Sequence, residues 1–436
     1  MPSAWDKLRS KFPPSRQEFR VSREQHSSTS SNDEYGPFAE RSFKKPWTQP
    51  PATVPLPKRW VHRDLLVAST TLGLKLHQKL AQVAPGRNLV VSPISVNLAM
   101  GMAAMGAHGE TRSEIARALG LEEIPENEWQ TCYSELMQNL RYAAGGQELR
   151  IANSVWVTDN YRLQPQYEQV LKECFEAEAT SLRFSDSRSV ARINQWVEDK
   201  TGDKIHNIVD SLSDEQRLML INCVYFKGLW YQPFDAKRTR DEVFHASRGD
   251  QLRPFMHMRN DFVYWEDQDA QVVRLDYEGF SSLSLWVFLP SKKTGLEEFV
   301  RRLRPSFWEF ASKLSKTHPG TLALPRFRLE CSEHLNQGLQ SVGLKRCFDA
   351  HRADFSGMLV EREPLYISEV LQKTYLEVNE QGTEAAAATR VAMAMKAMMP
   401  PEPPKPFEMV VDRPFFVVLG DAATGVFLFT ASVWEV

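Results

Sequence analysis

The chain lacks the features that mark membrane-spanning and nucleic-acid-binding proteins. Its 436 residues contain no uninterrupted apolar run of about eighteen, the length that a membrane-spanning helix needs. Its 53 Lys and Arg nearly balance its 55 Asp and Glu, so no excess of one charge points to nucleic acid or to an anionic membrane surface. The composition therefore predicts neither nucleic acid nor a membrane as a partner.

Catalytic motifs are also absent from the sequence. It contains no His-Glu-x-x-His pair, no Cys-x-x-Cys pair, no Gly-x-Ser-x-Gly elbow and no phosphate loop ending in Gly-Lys-Ser/Thr. His108 and His257 lie outside any ligand-spaced cluster, and the glycines at 101, 106 and 109 fit helix packing better than phosphate binding. We therefore predict a protein that is not an enzyme and that binds no metal or cofactor.

Three further absences bear on localisation. The first residues carry no apolar core of a secretory signal, and no asparagine begins an Asn-x-Ser/Thr sequon. The cysteines are odd in number and scattered, which is not the pattern of a disulfide framework. These absences favour a cytoplasmic protein, with an extracellular one as the alternative if export is non-classical or the amino terminus differs. The five cysteines are Cys132, Cys174, Cys223, Cys331 and Cys347.

The first 64 residues differ in composition from the rest. They include the polar run 27–32 (SSTSSN) and the proline-rich run 50–57 (PPATVPLP), with too few apolar residues to offset chain entropy. We expect residues 1–64 to form a disordered N-terminal extension and residues 65–436 to form one globular domain. Within that domain, helical patterns predict helices at 65–84 and 95–119, and strand patterns become frequent after about residue 215.

The most informative segment is 382–396 (GTEAAAATRVAMAMK). Every second residue from Thr383 to Met395 is small or apolar, whereas the alternate residues include every charge in the segment. This alternation predicts a strand with one buried face. Alanine favours helix over strand, so an ordinary helix or a loop is the alternative. Patterning for burial combined with weak strand propensity suits a strand that is held outside a sheet until something releases it.

The segments around this one are strand-like, and several of them resemble the serpin family. Residues 380–389 (EQGTEAAAAT) resemble the proximal hinge of the reactive-centre loop in inhibitory serpins, and residues 411–419 (VDRPFFVVL) resemble the family's carboxy-terminal signature. The resemblance covers roughly residues 65–436. The other matching segments are 88–99 (NLVVSPISVNLA), 106–111 (GAHGET), 221–230 (INCVYFKGLW) and 353–358 (ADFSGM).

The resemblance implies an α+β serpin fold of about nine helices around three β-sheets. An exposed reactive-centre loop, at about residues 380–408, would be insertable into the main sheet. It also implies a monomeric suicide-type inhibitor of serine proteases, with cysteine proteases as a second target class. The alternative is a non-inhibitory serpin that acts as a binding, carrier or chaperone protein. The implied hinge residues are Glu380, Gly382, Thr383, Glu384, Ala385, Ala386, Ala387, Ala388 and Thr389.

The scissile bond follows from the family's usual loop length. The cleaved residue of a serpin usually lies fourteen positions after the hinge glycine, which gives Lys396, followed by Ala397. A lysine suits trypsin-like proteases, whose specificity pocket carries a carboxylate. Met395, Met398 and Met399 remain alternatives, for chymotrypsin-, elastase- or subtilisin-like targets.

The resemblance also implies two control regions for loop insertion. Trp230 matches the aromatic residue of the breach, where the loop first enters the main sheet. Gln372 occupies the usual position of a histidine in the shutter, the polar cluster under that sheet, and its amide can likewise donate and accept hydrogen bonds. For the serines of the shutter, simple capping of a helix is the alternative. The implied shutter residues are Ser92, Pro93, Ser95, Asn222 and Gln372.

Overall fold

The structure, a computed structural model, describes residues 63–436 except 145–146, 280–281, 307–310, 312–313, 362, 384–404 and 422–424. Helices dominate the first part of this range and strands the second, which is the α+β order that the sequence predicted. Across the range described, no helix is long and apolar enough to span a membrane. The helices are α1 (Arg63–Val83), α2 (Pro93–Gly106), α3 (Gly109–Leu119), α4 (Trp129–Ala144), α5 (Pro165–Phe175), α6 (Ser187–Thr201), α7 (Gly295–Arg302) and α8 (Asn336–Ser341).

The single helix predicted at 95–119 is two helices, α2 and α3. The chain leaves α2 after Gly106, where a Cβ would lie 2.2 Å from the Met358 side chain. The His108 amide then donates to the Asp354 carbonyl at 3.0 Å, and Gly109 adopts a φ of +51°. The break therefore lets the 106–109 turn pack against the segment around Met358. Helical periodicity does not reveal this contact, because the two segments are distant in the chain.

A six-stranded sheet contains the strand that leads into the alanine-rich segment. Its order is β10-β11-β12-β4-β2-β3, with β11 and β4 also paired directly and in parallel. The boundary between β4 and β11 is called the seam below. The strands are β2 (Glu148–Thr158), β3 (Glu178–Leu182), β4 (Leu218–Leu229), β10 (Phe327–His334), β11 (Ile367–Asn379) and β12 (Gly382–Thr383).

The remaining strands form a nine-stranded sheet with the order β1-β15-β14-β8-β7-β6-β9-β13, and β5 also pairs with β6. The described residues thus form two hydrogen-bonded sheets rather than three. The reason is the length of β6, whose 18 residues pair in turn with β5, β9 and β7 and so join two groups of strands. The strands are β1 (Leu89–Val91), β5 (Arg240–Ala246), β6 (Gly249–Glu266), β7 (Ala270–Asp276), β8 (Leu283–Pro290), β9 (Thr317–Pro325), β13 (Phe407–Val410), β14 (Phe415–Asp421) and β15 (Phe427–Val433).

The apolar run at 410–420 does not form one strand. It is divided between β13, which pairs with β9, and β14, which pairs with β8 and β15. Pro414 lies in the gap between them and has no amide hydrogen to donate to a neighbouring strand. The chain therefore turns from one part of the nine-stranded sheet to another at this proline.

Two apolar clusters flank the six-stranded sheet. The larger contains side chains from both sheets and from helices α1 to α5. The smaller lies on the opposite face, where Ile193 and Val197 of α6 belong to one buried cluster with Cys223 of β4 and Leu371 of β11. Since this cluster draws on both sides of the seam, any strand that enters the seam must rearrange its contacts.

Candidate functional site

The seam is where the alanine-rich segment meets the described structure. Strands β4 and β11 pair in parallel as far as Tyr225 and Tyr375. Beyond these residues β12 lies between them, and it pairs antiparallel with both. The hinge therefore begins as a two-residue strand inside the six-stranded sheet, before any cleavage of the chain.

Gly382 occupies a position that has no room for a side chain. It pairs with Leu229 on one side and with Asn379 on the other. A Cβ at this position would lie 1.9 Å from the carbonyl oxygen of Gly228. Because the obstacle is backbone rather than a movable side chain, only glycine allows β12 to approach β4 this closely.

Thr383 is fully buried and bonded through its hydroxyl group. Its Oγ1 lies 2.7 Å from the hydroxyl oxygen of Tyr277, and its relative exposure is 0%. The Tyr277 ring stacks on Trp230 with the ring centroids 4.7 Å apart. Trp230 in turn donates from Nε1 to the Asn379 carbonyl at 2.9 Å. The first inward residue of the hinge thus contacts an aromatic pair that is tied to the end of β11.

Glu380 fixes the turn that joins β11 to β12. Arg326 Nε donates to Glu380 Oε1 at 2.7 Å, and the Thr239 hydroxyl donates to the same oxygen at 2.5 Å. Burial opposes ionisation of Glu380, but the hydrogen bonds from Arg326 and Thr239 outweigh it and hold its pKa below the usual value. The Glu380 carbonyl also accepts from the Phe234 amide at 2.7 Å. The turn is therefore held at both its side chain and its backbone.

Beneath the seam, Gln372 binds the start of α2. Its Oε1 accepts from the Ser92 amide at 2.9 Å, and its Nε2 donates to the Ser92 carbonyl at 3.2 Å. Pro93 occupies the first turn of α2, as expected for a helix start. Ser92 holds the N-cap position but makes no side-chain capping bond, so capping does not explain this serine. The glutamine thus uses its amide both to accept from and to donate to the backbone of Ser92.

Asn222 lies on β4 directly opposite Gln372 across the seam. Its Nδ2 donates to Asn153 Oδ1 on β2 at 2.6 Å. Three buried oxygens of this cluster find no hydrogen-bond partner among the residues described. They are Ser92 Oγ, Ser95 Oγ and Asn222 Oδ1. The region under the seam is therefore polar, with Gln372 bonded to α2 and Asn222 bonded to β2.

The downstream end of the alanine-rich segment is attached to the other sheet. The chain re-enters the described structure before β13, whose Phe407 stacks on Tyr264 with the ring centroids 3.6 Å apart. A Cβ on Gly320 would lie 2.3 Å from the Phe407 ring, so this glycine provides the space that the ring occupies. The two ends of the segment are thus fixed in different sheets.

The family model described as Serpin (serine protease inhibitor) matches residues 67–436. This chain belongs to the serpin family. An uncharacterized serpin-like protein of Thermococcus kodakarensis is 36% identical over 85% of this chain and 86% of its own. Serine protease inhibitor 42Dd of Drosophila melanogaster is 34% identical over 80% of this chain and 92% of its own length. The native thermophilic serpin tengpin is a structural match with a TM-score of 0.78 and 27% identity, covering 86% of this chain and 95% of its own.

The predicted serpin fold is thereby confirmed, although part of the predicted loop lies beyond what the structure describes. Glu384, the alanines 385–388 and Thr389 are outside the described residues. So are the predicted scissile residues Lys396 and Ala397 and the alternatives Met395, Met398 and Met399. Of the predicted hinge residues, the structure places Glu380, Gly382 and Thr383 together at the open end of the seam.

The cysteines of this serpin are buried free thiols, as their scattered spacing predicted. Burial raises the pKa of Cys132 and of Cys331 to about 11. It also raises the pKa values of Cys223 and Cys347. A thiol that stays protonated is a poor nucleophile, so these four cysteines have structural rather than chemical roles.

Several residues of the site escaped the sequence analysis. Tyr277 follows β7, Arg326 separates β9 from β10, and Asn153 lies on β2. Each contacts a predicted site residue from more than 50 positions away in the chain: Thr383 for Tyr277, Glu380 for Arg326 and Asn222 for Asn153. No local motif marks these residues, because their role depends on the packing of strands that are distant in sequence.

Proposed function

We propose that this serpin inhibits serine proteases as a suicide substrate. The observation that carries the proposal is the position of Thr383, which is fully buried in the six-stranded sheet of the intact chain. In the proposed mechanism, the two-residue strand β12 is the first part of the loop to enter the sheet. The next inward residues, Ala385, Ala387 and Thr389, are small and uncharged, so their burial avoids the cost of an unpaired buried charge.

The seam supports this proposal because its central polar side chains form no hydrogen bond to each other across it. Gln372 bonds to α2 and Asn222 bonds to β2, so neither side chain bonds across the seam to the other. The entering strand would replace the parallel pairing of β4 and β11 with two antiparallel ladders, as β12 already does at the open end. Antiparallel pairing is slightly the more stable per residue.

The chemistry would be supplied by the protease and the trap by the serpin. The protease nucleophile attacks the carbonyl carbon of Lys396, and the peptide bond to Ala397 breaks to leave an acyl-enzyme. The new amino group on Ala397 departs with the downstream segment, which β13 keeps attached to the serpin. The upstream segment is then free to insert and carries the acylated protease with it before water hydrolyses the ester. The serpin itself contributes no catalytic group.

We further propose trypsin-like proteases as the targets, because a lysine at the cleaved position suits a specificity pocket that carries a carboxylate. The Drosophila relative is named as a serine protease inhibitor, and this name supports an inhibitory role over a carrier role. A carrier or chaperone role fits the hinge less well, because Gly382 and Thr383 already occupy the sheet and the following inward residues are small.

A protease panel tests the proposal directly. The full chain is incubated with trypsin-, chymotrypsin-, elastase- and subtilisin-like proteases and with a papain-like cysteine protease. We expect a complex with a trypsin-like protease that resists SDS, and amino-terminal sequencing of the released fragment should begin at Ala397. Cleavage by every protease without any stable complex would overturn the inhibitory role.

Two matched variants sharpen this experiment. Lys396→Ala should abolish the complex with trypsin-like proteases, whereas Lys405→Ala, at an exposed lysine just downstream, should leave it intact. Thr383→Arg should leave the bait unchanged but place a charge at the fully buried first inward position. We expect that variant to be cleaved as a substrate, and an undiminished yield of complex would show that insertion does not use this face.

A further inference from the structure

The alanine run of the inserting segment cannot set its own register. Residues 385–388 are all alanine, so both faces of this stretch are alike. A slip of one residue is opposed by the flanking charges, because it would bury Glu384 and Arg390 in place of Thr383 and Thr389. A slip of two residues keeps the same face buried and meets no such obstacle. A device outside the alanine run is therefore needed to fix the register.

The described structure contains one hydroxyl pair that can do this. Thr383 Oγ1 lies 2.7 Å from the Tyr277 hydroxyl, and both side chains are buried. A buried hydroxyl that loses its partner is left with the full penalty of its lost hydration. Moving the strand by two residues in either direction would bring Gln381 or Ala385 to this place. Neither carries a hydroxyl group that could reproduce the pair with Tyr277.

Tyr277 is well suited to serve as a fixed reference point. Its ring stacks on Trp230 at 4.7 Å and meets Phe226 edge-on at 4.9 Å. A Cβ on Gly228 would lie 2.7 Å from both the Tyr277 and the Phe226 rings, so this glycine gives the tyrosine its space. The Glu278 amide also donates to the Leu229 carbonyl at 2.7 Å, which ties the tyrosine's own segment to β4.

The two flanking strands predict the same register for the rest of the segment. Along an antiparallel pair, residue numbers rise on one strand as they fall on the other. Because Thr383 pairs with Gly228 on β4, a continued strand would place residue 388 opposite Cys223. On the other flank, Thr383 opposite Val378 leads to residue 388 opposite Lys373. Cys223 and Lys373 are partners across the closed seam. A strand that continues from the Thr383 position would thus enter without shifting β4 relative to β11.

We propose that Tyr277 is the positioning residue that sets the register of the inserted strand, through its hydrogen bond to Thr383. The inference rests on the proposed inhibitory function, since it concerns the step that follows cleavage. Loss of the bond leaves the protease free to bind and cleave the bait but slows productive insertion. More acyl-enzyme is then hydrolysed before it is trapped.

A kinetic test separates binding and cleavage of the bait from insertion of the strand. For Tyr277→Phe and for Thr383→Val, we expect the ratio of hydrolysis to trapping to rise about fivefold, the effect of one hydrogen bond of ordinary strength. The rate of association with the protease should not change. The double variant should do no more than either single one, because both remove the same bond. Thr383→Ser, which keeps a hydroxyl, should retain most of the wild-type ratio.

A matched control is available elsewhere in the core. The buried Tyr167 hydroxyl donates to the Met102 carbonyl at 3.0 Å, far in sequence from the hinge. Tyr167→Phe should lower thermal stability without changing the ratio of hydrolysis to trapping. An equal change in the ratio for Tyr167→Phe and Tyr277→Phe would reduce Tyr277 to a general contributor to stability and overturn the proposal.

The register itself can be read with the native Cys223 thiol. When the loop is cleaved in the presence of an oxidant, so that the opening seam exposes Cys223, Ala388→Cys should form a disulfide with this cysteine, and Ala386→Cys should not. Adding Tyr277→Phe should create an Ala386→Cys cross-link to Cys223, because a slip of two residues brings position 386 opposite this cysteine. If position 388 alone is cross-linked in both backgrounds, Tyr277 does not set the register. If the unmodified serpin forms no SDS-resistant complex, the proposed function fails instead, and the two failures are distinguishable.

Discussion

Two buried polar sites, one against each sheet, differ in how completely they are hydrogen-bonded. Fully buried His77 on α1 packs against the nine-stranded sheet, and both of its ring nitrogens have partners there. Nδ1 lies 3.0 Å from Thr430 Oγ1, and Nε2 lies 2.7 Å from Ser432 Oγ. Phe416 covers the ring edge-on at 5.3 Å. This polar group is as well satisfied as a buried histidine can be.

The six-stranded sheet shows the opposite arrangement beneath its seam. Ser92 Oγ, Ser95 Oγ and Asn222 Oδ1 are buried without a partner among the described residues. The comparison teaches that the buried histidine against the nine-stranded sheet is fully paired, whereas the polar cluster beneath the seam keeps oxygens unpaired among the described residues. We therefore expect the seam, rather than the nine-stranded sheet, to admit a strand.

Cleavage of the loop should have the largest effect on this comparison. Insertion would add a strand to the six-stranded sheet and bury Val391, Met393 and Met395, at about 1.5–3 kcal/mol each on full burial. We therefore expect the cleaved form to unfold at a clearly higher temperature than the intact form, as measured by calorimetry. Identical melting temperatures would mean that the loop does not insert and that the two sheets are equally static.

Phe416→Ala should damage the sheet that stays intact. The ring is fully buried on β14 beside His77, and truncation of such a residue costs about 3–5 kcal/mol. The inserting strand would enter the six-stranded sheet and not this one, so we expect the loss to be about equal in the intact and the cleaved forms. Denaturant unfolding of both forms measures this. A much smaller loss in one form would show that the two sheets are coupled. Leu252→Ala, at an exposed position, is the control.

Acid should destabilise the protein through His77. Burial, with a smaller contribution from Arg87, lowers the pKa of His77 from 6.5 to about 3. Above pH 6.5 both the folded and unfolded states hold this histidine neutral, and its contribution to stability is complete. Below pH 6.5 only the unfolded state gains the proton, so stability falls by about 1.4 kcal/mol per pH unit until the pH nears 3.

Between pH 7 and pH 5 this amounts to about 2 kcal/mol from one histidine. The measurement is the urea midpoint at the two pH values, for the unmodified serpin and for His77→Gln. The variant is expected to be less stable at neutral pH but to lose less stability on acidification. If the two proteins show the same loss between pH 7 and pH 5, His77 is not the group responsible.

A pair of serine variants gives the smallest and sharpest contrast. Ser432→Ala removes the partner of His77 Nε2 and should cost about 1–3 kcal/mol, since a buried nitrogen is left unpaired. Ser92→Ala removes a hydroxyl that has no partner among the described residues and should be neutral within about 0.5 kcal/mol, or slightly stabilising. Thermal unfolding of the intact forms compares them. Equal losses would show that the two polar clusters do not differ in the way described.

Much of the site could be predicted from the sequence, because strand alternation and motif order are local properties. The alternation from Thr383 onward indicated an insertable strand, and the matching segments indicated the fold. The structure places Gly382 and Thr383 in the six-stranded sheet and brings Gln372 to Ser92. What could not be predicted was that Gly382 and Thr383 pair with both β11 and β4. That depends on whether β4 and β11 separate beyond Tyr225, which is a property of two strands far apart in sequence.

The sequence by itself determined the α+β class, the family and the register-ambiguous alanine run, since each follows from composition or from short ordered motifs. Tertiary structure alone decided that the hydroxyl groups of Tyr277 and Thr383 pair, that a break separates α2 from α3, and that β6 joins two groups of strands into one sheet. Each of these depends on contacts between residues tens to hundreds of positions apart. Local pattern cannot encode such contacts, because they exist only once the chain has packed.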